Sequence, residues 1–118
     1  MTTVPPPRGP SCPVELTLET IGGKWATVIL AHLKEGVHRY GELRRRIPAV
    51  SEKMLVQRLR TLESRGLIHR TAAGPKGAEV VEYRLTEEGA SLAPVLEALY
   101  AWGLSRATRT GVRFPPLE

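Results

Sequence analysis

The chain has 118 residues, of which 42% are hydrophobic and 25% are charged, and its formal net charge is +5. The length excludes two domains of ordinary size, and the composition excludes an intrinsically disordered chain. A basic balance is compatible with a nucleic-acid partner, although net charge alone is weak evidence for one.

The positive charge is concentrated in the middle of the chain. From His38 to Arg70 there are nine Lys or Arg residues and three Glu, a net charge of +6, so the remaining residues sum to −1. From Thr86 to Trp102 there are three Glu and no Lys or Arg. The sequence therefore predicts a basic segment that is followed by an acidic helix.

The single cysteine, Cys12, can form no disulfide within the chain, which favours a reducing compartment. The first twelve residues, MTTVPPPRGPSC, lack the apolar stretch of a signal peptide. The longest mostly apolar run, Trp25 to Leu33, is too short to cross a bilayer. We therefore expect a cytoplasmic, nucleoid-associated protein with no membrane partner.

Taken in chain order, the first predicted element is a flexible arm over residues 1–11, which hold four prolines. The first helix begins at Pro13 and ends at Gly22-Gly23, and a largely buried second helix covers residues 24–34. A short third helix begins near Gly41 and is closed by Pro48.

The fourth helix is predicted to begin after the N-cap Ser51 and to end at Gly66. Only the three residues 48–50 separate it from the third helix, which is the helix-turn-helix arrangement. Helical spacing places its leucines on one face and a row of long polar side chains on the opposite face: Leu55, Leu59 and Leu62 against Lys53, Gln57, Arg60 and Ser64.

Two strand-like segments follow, LIHRTAA and EVVEYRL, joined by the turn GPKG at residues 74–77. Thr86 caps a last helix that is predicted to reach Ser105, with a kink or break at Pro94. Its apolar side chains are predicted to point inward, namely Leu92, Val95, Leu96, Leu99 and Trp102. That leaves a flexible tail over residues 106–118 and one domain over residues 12–105. The predicted fold class is mainly α with a small β-hairpin (α+β), arranged as a winged helix-turn-helix.

In a helix-turn-helix the second helix enters the major groove of DNA with its first turns nearest the bases. Lysine and arginine can pair with guanine, and glutamine with adenine, at roughly 1–3 kcal/mol of discrimination for each good pair. Other cations and the capped helix terminus can hold phosphates. The predicted base-reading residues are Lys53, Val56, Gln57 and Arg60; the phosphate-binding residues are Ser51, Arg39, Arg44, Arg45 and Arg58; and the wing residues are Lys76 and Arg70.

Each of these arginines taken alone is better explained by a solvated surface, and it is their agreement with the cap, turn and wing that favours DNA. No phosphate-binding glycine loop, nucleophile elbow or Cys/His cluster occurs in the sequence, so we expect no catalytic residues, metal site or cofactor, and no enzyme. The alternative interpretation is a winged-helix module that binds protein or RNA without operator specificity.

Three segments, CPVELTLETIGGKW, YGELRRRIPAVSEKMLVQRLRTLESRGLIHR and VEYRLTEEGASLAPVLEALYAW, resemble the HxlR-type transcription regulators. This winged-helix family of bacteria and archaea is allied to the MarR group, and the resemblance spans residues 12–103. It implies a homodimer formed by the first and last helices that reads a pseudo-palindromic operator, most simply as a repressor. The expected interface residues are Val14, Leu18, Leu92, Leu96, Leu99, Tyr100 and Trp102, the alternative being that the last helix folds entirely inward.

Cys12 precedes the first helix, whose partial positive charge favours the reactive thiolate. The resemblance implies that a cysteine at this position can sense oxidants or electrophiles, so an oxidant or a small molecule is the expected inducer. The alternative is that Cys12 is a small buried apolar residue at the dimer interface.

Overall fold

The computed structural model describes residues 9–114, in which helices and a two-stranded antiparallel hairpin form a winged helix-turn-helix, as the sequence predicts. No helix in this part of the chain is both long enough and apolar enough to span a membrane. Residues 1–8 of the predicted arm and 115–118 of the predicted tail lie outside the described residues. The elements are α1 (Pro13–Ile21), α2 (Ala26–Lys34), α3 (Tyr40–Arg46), α4 (Glu52–Ser64), β1 (Ile68–Ala73), β2 (Val80–Leu85), α5 (Glu87–Ala90) and α6 (Ala93–Thr110).

The core is one cluster of mainly aliphatic side chains from α2, α3, α4 and the start of β1, and Ile21 of α1, Tyr83 of β2 and Leu96 of α6 belong to it. The leucine face of α4 that the periodicity predicts is buried within it, so the opposite face of α4 must point away from the core. Burial of each such side chain stabilises the fold by roughly 1.5–3 kcal/mol. The largest fully buried side chains are Ile29, Leu30, Leu43, Leu55, Leu59, Leu62, Leu67 and Ile68.

The turn between α3 and α4 is fixed by hydrogen bonds at both of its ends. The Val50 amide donates to the Ile47 carbonyl at 3.2 Å, and Arg44 Nη1 donates to the Val50 carbonyl at 3.1 Å. The Ser51 side chain accepts a hydrogen bond from the Met54 amide at 3.1 Å, which confirms Ser51 as the N-cap of α4. Helix α4 therefore leaves the turn in a defined direction.

The hairpin is anchored to the helices at its base and extends into solvent at its tip. Its register pairs Ile68 with Leu85 and Ala73 with Val80. On the other edge of β2, the Tyr83 amide donates to the His38 carbonyl at 2.8 Å, which ties the hairpin to the segment before α3. Beyond the buried Ile68, the side chains of β1 are exposed, as expected for a wing.

Helix α2 begins two residues later than the sequence indicated. Trp25 adopts a left-handed conformation with φ of 77°, which a helical residue cannot do, and α2 begins only after it. The Lys24 ammonium lies 5.3 Å from the centroid of the Trp25 ring, a cation–π distance.

The predicted last helix is broken near Pro94, as expected, into α5 and α6. Its predicted C-terminal end, Ser105, is wrong. Pro94 falls in the first turn of α6, where its missing N–H costs no helical hydrogen bond. Helix α6 then continues to Thr110, so residues 106–110 are helical and not part of a flexible tail. Gly111, with φ of 77°, provides the left-handed C-cap.

Candidate nucleic-acid interface

The outward face of α4 carries the predicted base-reading residues. Lys53, Gln57 and Arg60 are exposed, and Val56 beside them is half-buried. None of the ion pairs in residues 9–114 uses Lys53 or Arg60. An α-helix with its side chains is about 10–12 Å across and the major groove is about 12 Å wide, so α4, which has 13 residues and is about 20 Å long, can lie in the groove. The long donors of α4 are thus available to a partner.

The acidic side chain in the first turn of α4, Glu52, accepts a hydrogen bond from a neighbouring helix. Tyr40, at the start of α3, donates its hydroxyl to Glu52 Oε1 at 3.3 Å. Partial burial raises the pKa of Tyr40, and the neighbouring Glu52 carboxylate raises it further, so the hydroxyl remains a donor at neutral pH. The contact links the first residue of α3 to the first residue of α4.

The predicted phosphate-binding arginines differ in how far the chain already uses them. Arg45 is exposed, and Arg39 Nε lies 3.8 Å from Glu82 Oε1 in an open ion pair. Arg44 is half-buried and donates to the Val50 carbonyl. Arg58 donates its Nε to the Lys24 carbonyl at 2.9 Å. A guanidinium has five N–H donors, so Arg44 and Arg58 could hold the backbone in place and still contact a phosphate.

The wing presents one cation at its tip. Lys76 lies in the loop between Ala73 and Val80 and is exposed, as is Arg70 on β1. The loop is shaped by Gly74 and Gly77, whose φ angles of 117° and 89° are unfavourable for other residues. These two glycines thus shape the loop that carries Lys76 at the tip of the wing.

Sequence reasoning gave Arg65 no role, and the structure gives it a structural one. Its Nη1 donates to the Thr20 carbonyl at 2.9 Å and to the Gly22 carbonyl at 3.1 Å. The last carbonyls of a helix lack intrahelical partners, so this arginine caps the C-terminus of α1. Together with Arg58, it fastens α4 to the segment that joins α1 and α2. A lone arginine near a helix end gives no sign of such a contact in the sequence.

The predicted dimer residues separate into exposed and buried ones. Val14, Leu18 and Trp102 are 68%, 60% and 63% exposed, and Leu99 and Tyr100 are also exposed. The prediction that Leu99 and Trp102 point inward is therefore wrong for the single chain. Leu96 is buried, and Leu92 packs partly against the same core, so these two have little surface left for a partner.

Cys12 is exposed and stands at the N-cap of α1. A negative charge shares this helix end, because Glu15 Oε2 accepts hydrogen bonds from the hydroxyl and the amide of Ser11 at 2.6 and 2.7 Å. These bonds, the hydroxyl one first, lower the pKa of Glu15. The positive end of α1 is thus partly neutralised by the Glu15 carboxylate.

Comparison with known proteins finds helix-turn-helix transcription regulators, both by sequence and by structure. The model of the HxlR-like helix-turn-helix family matches residues 20–110. An uncharacterised HTH-type transcriptional regulator of Bacillus subtilis, YtcD, is 47% identical over 106 residues, which cover 89% of this chain and 83% of that one. The redox regulator HypR is similar in its reduced form (TM-score 0.79, 37% identity, 86% and 100% coverage) and in its oxidised form (TM-score 0.73, 41% identity, 80% and 96% coverage).

Proposed function

This chain belongs to the HxlR-like helix-turn-helix family of DNA-binding transcription regulators, and from that premise we propose that it recognises a specific double-stranded operator as a homodimer. One α4 would enter the major groove of each half-site. Lys53, Gln57 and Arg60 would contact base edges, and the apolar Val56 would pack against a thymine methyl group.

The observation that carries this proposal is the contrast between the two faces of α4. The leucine face is fully buried, so the helix cannot turn, and the opposite face offers long donors that no ion pair in the described part of the chain occupies. Phosphate contacts by Arg39, Arg44, Arg45 and Arg58 would set the register, and Lys76 and Arg70 would approach the duplex from the wing. Bound to its operator, the protein would repress by obstructing polymerase.

The homodimer is supported by the exposed apolar surface of α1 and α6. Three apolar side chains of α1 and four of α6 are exposed, more than a small monomer normally leaves uncovered. We place Val14, Leu18, Leu99, Tyr100 and Trp102 in the interface.

Selection of bound fragments from random duplex DNA tests the proposed function. A dimer with two equivalent recognition helices should enrich a two-fold symmetric sequence whose half-sites are centred about one helical turn apart, roughly 34 Å. If no sequence is enriched and the protein binds all duplexes with equal affinity, the result would instead favour a winged-helix module that binds protein or RNA.

We propose further that Cys12 makes operator binding sensitive to oxidants, since its thiol is exposed and HypR is a redox regulator that is known in two oxidation states. Hydrogen peroxide would convert two Cys12 thiols into a disulfide between subunits, or one Cys12 thiol and a small thiol into a mixed disulfide, with release of two waters.

The matched comparison is Cys12→Ser, which keeps the size of the side chain and removes the sulfur. Peroxide should change the affinity of the wild-type protein for the selected operator several-fold and leave that of the variant unchanged. Dithiothreitol should restore the wild-type affinity. The same peroxide response in both proteins would exclude a sensing role for Cys12.

A further inference from the structure

Glu52 is an acidic residue in the part of α4 that the proposed function places nearest the bases. It is the first residue of α4, next to Lys53, and its side chain is exposed. None of the ion pairs in residues 9–114 includes Glu52, so no cation of that part of the chain pairs with it. A helix that is proposed to enter DNA thus carries an unpaired carboxylate at its N-terminal end, where phosphates would repel it.

The helix dipole accounts for an acidic residue at this position but not for the way in which its side chain is held. A carboxylate near a helix N-terminus is stabilised by the free N–H groups of the first turn. In α4 the Met54 amide donates instead to the Ser51 hydroxyl, at 3.1 Å. Glu52 Oε1 accepts from the Tyr40 hydroxyl of α3 at 3.3 Å, and Oε2 accepts no hydrogen bond from residues 9–114.

Tyr40 is well placed to hold this carboxylate in one orientation. Its side chain is half-buried and packs against the core. The backbone before it is fixed to the hairpin, because Arg39 forms a β-bridge with Glu82 and the His38 carbonyl accepts the Tyr83 amide. A phenol donates only one hydrogen bond, so Tyr40 orients one carboxylate oxygen and leaves the other available to a partner.

We propose that Glu52 reads a cytosine in each half-site and that Tyr40 is the positioning residue that orients it, an inference that rests on the proposed operator recognition. Glu52 Oε2 would accept a hydrogen bond from the N4 amino group of the cytosine in the major groove. Tyr40 would continue to donate to Oε1, so both carboxylate oxygens would have a donor in the complex.

The other three bases suit a carboxylate less well in the major groove. Guanine presents the acceptors N7 and O6, and thymine presents the acceptor O4, so both repel carboxylate oxygens. Adenine offers the N6 amino group, but its N7 acceptor lies beside that donor and repels the second oxygen. Cytosine presents a donor with no acceptor of its own. The negative charge therefore gives specificity by penalising the wrong bases.

The spacing along α4 locates this cytosine relative to the base pair that Gln57 contacts. Glu52 and Gln57 are five positions apart, which is about 7.5 Å along a helix. Successive base pairs are about 3.4 Å apart, so the cytosine should lie within about three base pairs of the Gln57 contact. In a two-fold symmetric dimer it should recur in both half-sites.

The test repeats the selection from random duplex DNA with the wild-type protein and with the variants Glu52→Gln and Glu63→Gln. The second variant is the matched control, because Glu63 is an exposed acidic residue in the last turn of the same helix. The wild type should enrich cytosine about tenfold at one position of each half-site. Glutamine pairs with adenine through two hydrogen bonds, so Glu52→Gln should enrich adenine there, whereas Glu63→Gln should keep cytosine.

Two further comparisons separate base reading from a structural role. In N4-methylcytosine a methyl group replaces the N4 hydrogen that points into the major groove. Placed at the selected position, it should lower the affinity of the wild type about tenfold and leave that of Glu52→Gln unchanged, and in the flanking DNA it should affect neither. Tyr40→Phe keeps the ring and removes the donor, so it should reduce the cytosine preference several-fold and leave the preferences at other positions unchanged.

The same selected sequence from the wild type and Glu52→Gln, or an equal change of sequence in Glu63→Gln, would overturn the proposal. An N4-methyl group that leaves the affinity of the wild type unchanged would overturn it as well. Full cytosine preference in Tyr40→Phe would remove the positioning role and keep the base contact. If the wild type selects no symmetric operator, the proposed function itself fails, which distinguishes that outcome from the failure of the Glu52 contact alone.

Discussion

Replacing Gln57 and Arg60 together by alanine should reduce the preference of the protein for its selected operator over a scrambled duplex by at least about 30-fold. Each bidentate contact between a side chain and a base edge discriminates by roughly 1–3 kcal/mol, and 1.4 kcal/mol corresponds to a factor of ten. Both side chains are exposed on α4 and stand outside the core, so the double variant should fold normally. Fluorescence anisotropy with the two duplexes at one salt concentration measures the ratio.

Lys76→Gln provides the contrast for this prediction. A cation at the wing tip that contacts only phosphates contributes equally to every sequence, so its removal should lower both affinities by one factor and leave their ratio unchanged. The salt dependence of binding should also become shallower, by about 0.9 in logarithmic slope for each phosphate that the variant no longer neutralises. An unchanged ratio in the Gln57 and Arg60 double variant would show that α4 does not read the bases.

Gly89→Ala should lower the free energy of unfolding by about 3 kcal/mol, which corresponds to roughly 10 °C in Tm for a domain of this size. A Cβ atom at Gly89 would lie 2.0 Å from the carbonyl oxygen of Leu67 and 3.0 Å from its carbonyl carbon. That carbonyl also accepts the Thr86 amide at 3.0 Å, so it cannot move without loosening the junction between the wing and α5. Thermal unfolding at a fixed protein concentration measures the change.

Gly41→Ala is the matched control, because Gly41 also lies in a helix and is replaced by the same residue. The nearest atom to a Cβ there is Arg45 Nη1 at 3.9 Å, an ordinary contact at the end of a flexible side chain. Alanine in a helix is favoured over glycine by up to about 1 kcal/mol, so this variant should be slightly more stable than the wild type. Equal stability of the two variants would mean that the close approach of Gly89 to Leu67 does not exist in solution.

The parts of the fold that the sequence predicted depend on local patterns. The leucine spacing of α4, the Ser51 cap, the turn before it and the break at Pro94 each depend on residues within about one or two helical turns of one another. The position of the hairpin likewise followed from two alternating segments around a glycine turn. The outward row of α4 could be identified because the buried face of the same helix fixes where that row points.

The parts that were missed depend on contacts between residues distant in the sequence. Arg65 reaches the C-terminus of α1 across more than forty residues, and nothing near Arg65 signals this. The apolar face of α6 has the same spacing whether it covers the core of its own chain or meets a partner, so Leu99 and Trp102 were predicted inward and proved exposed.

Photo-crosslinking from the first turn of α4 tests the central claim most directly, that this helix faces the bases of duplex DNA. p-Benzoylphenylalanine is placed at Glu52 or, in a matched variant that loses the same charge, at Glu97 on α6, where the side chain is 64% exposed. Irradiation with the selected operator should attach the Glu52 variant to bases in the major groove of each half-site and leave the Glu97 variant unattached. Equal crosslinking from the two positions, or none from position 52 while the operator stays bound, would contradict the account.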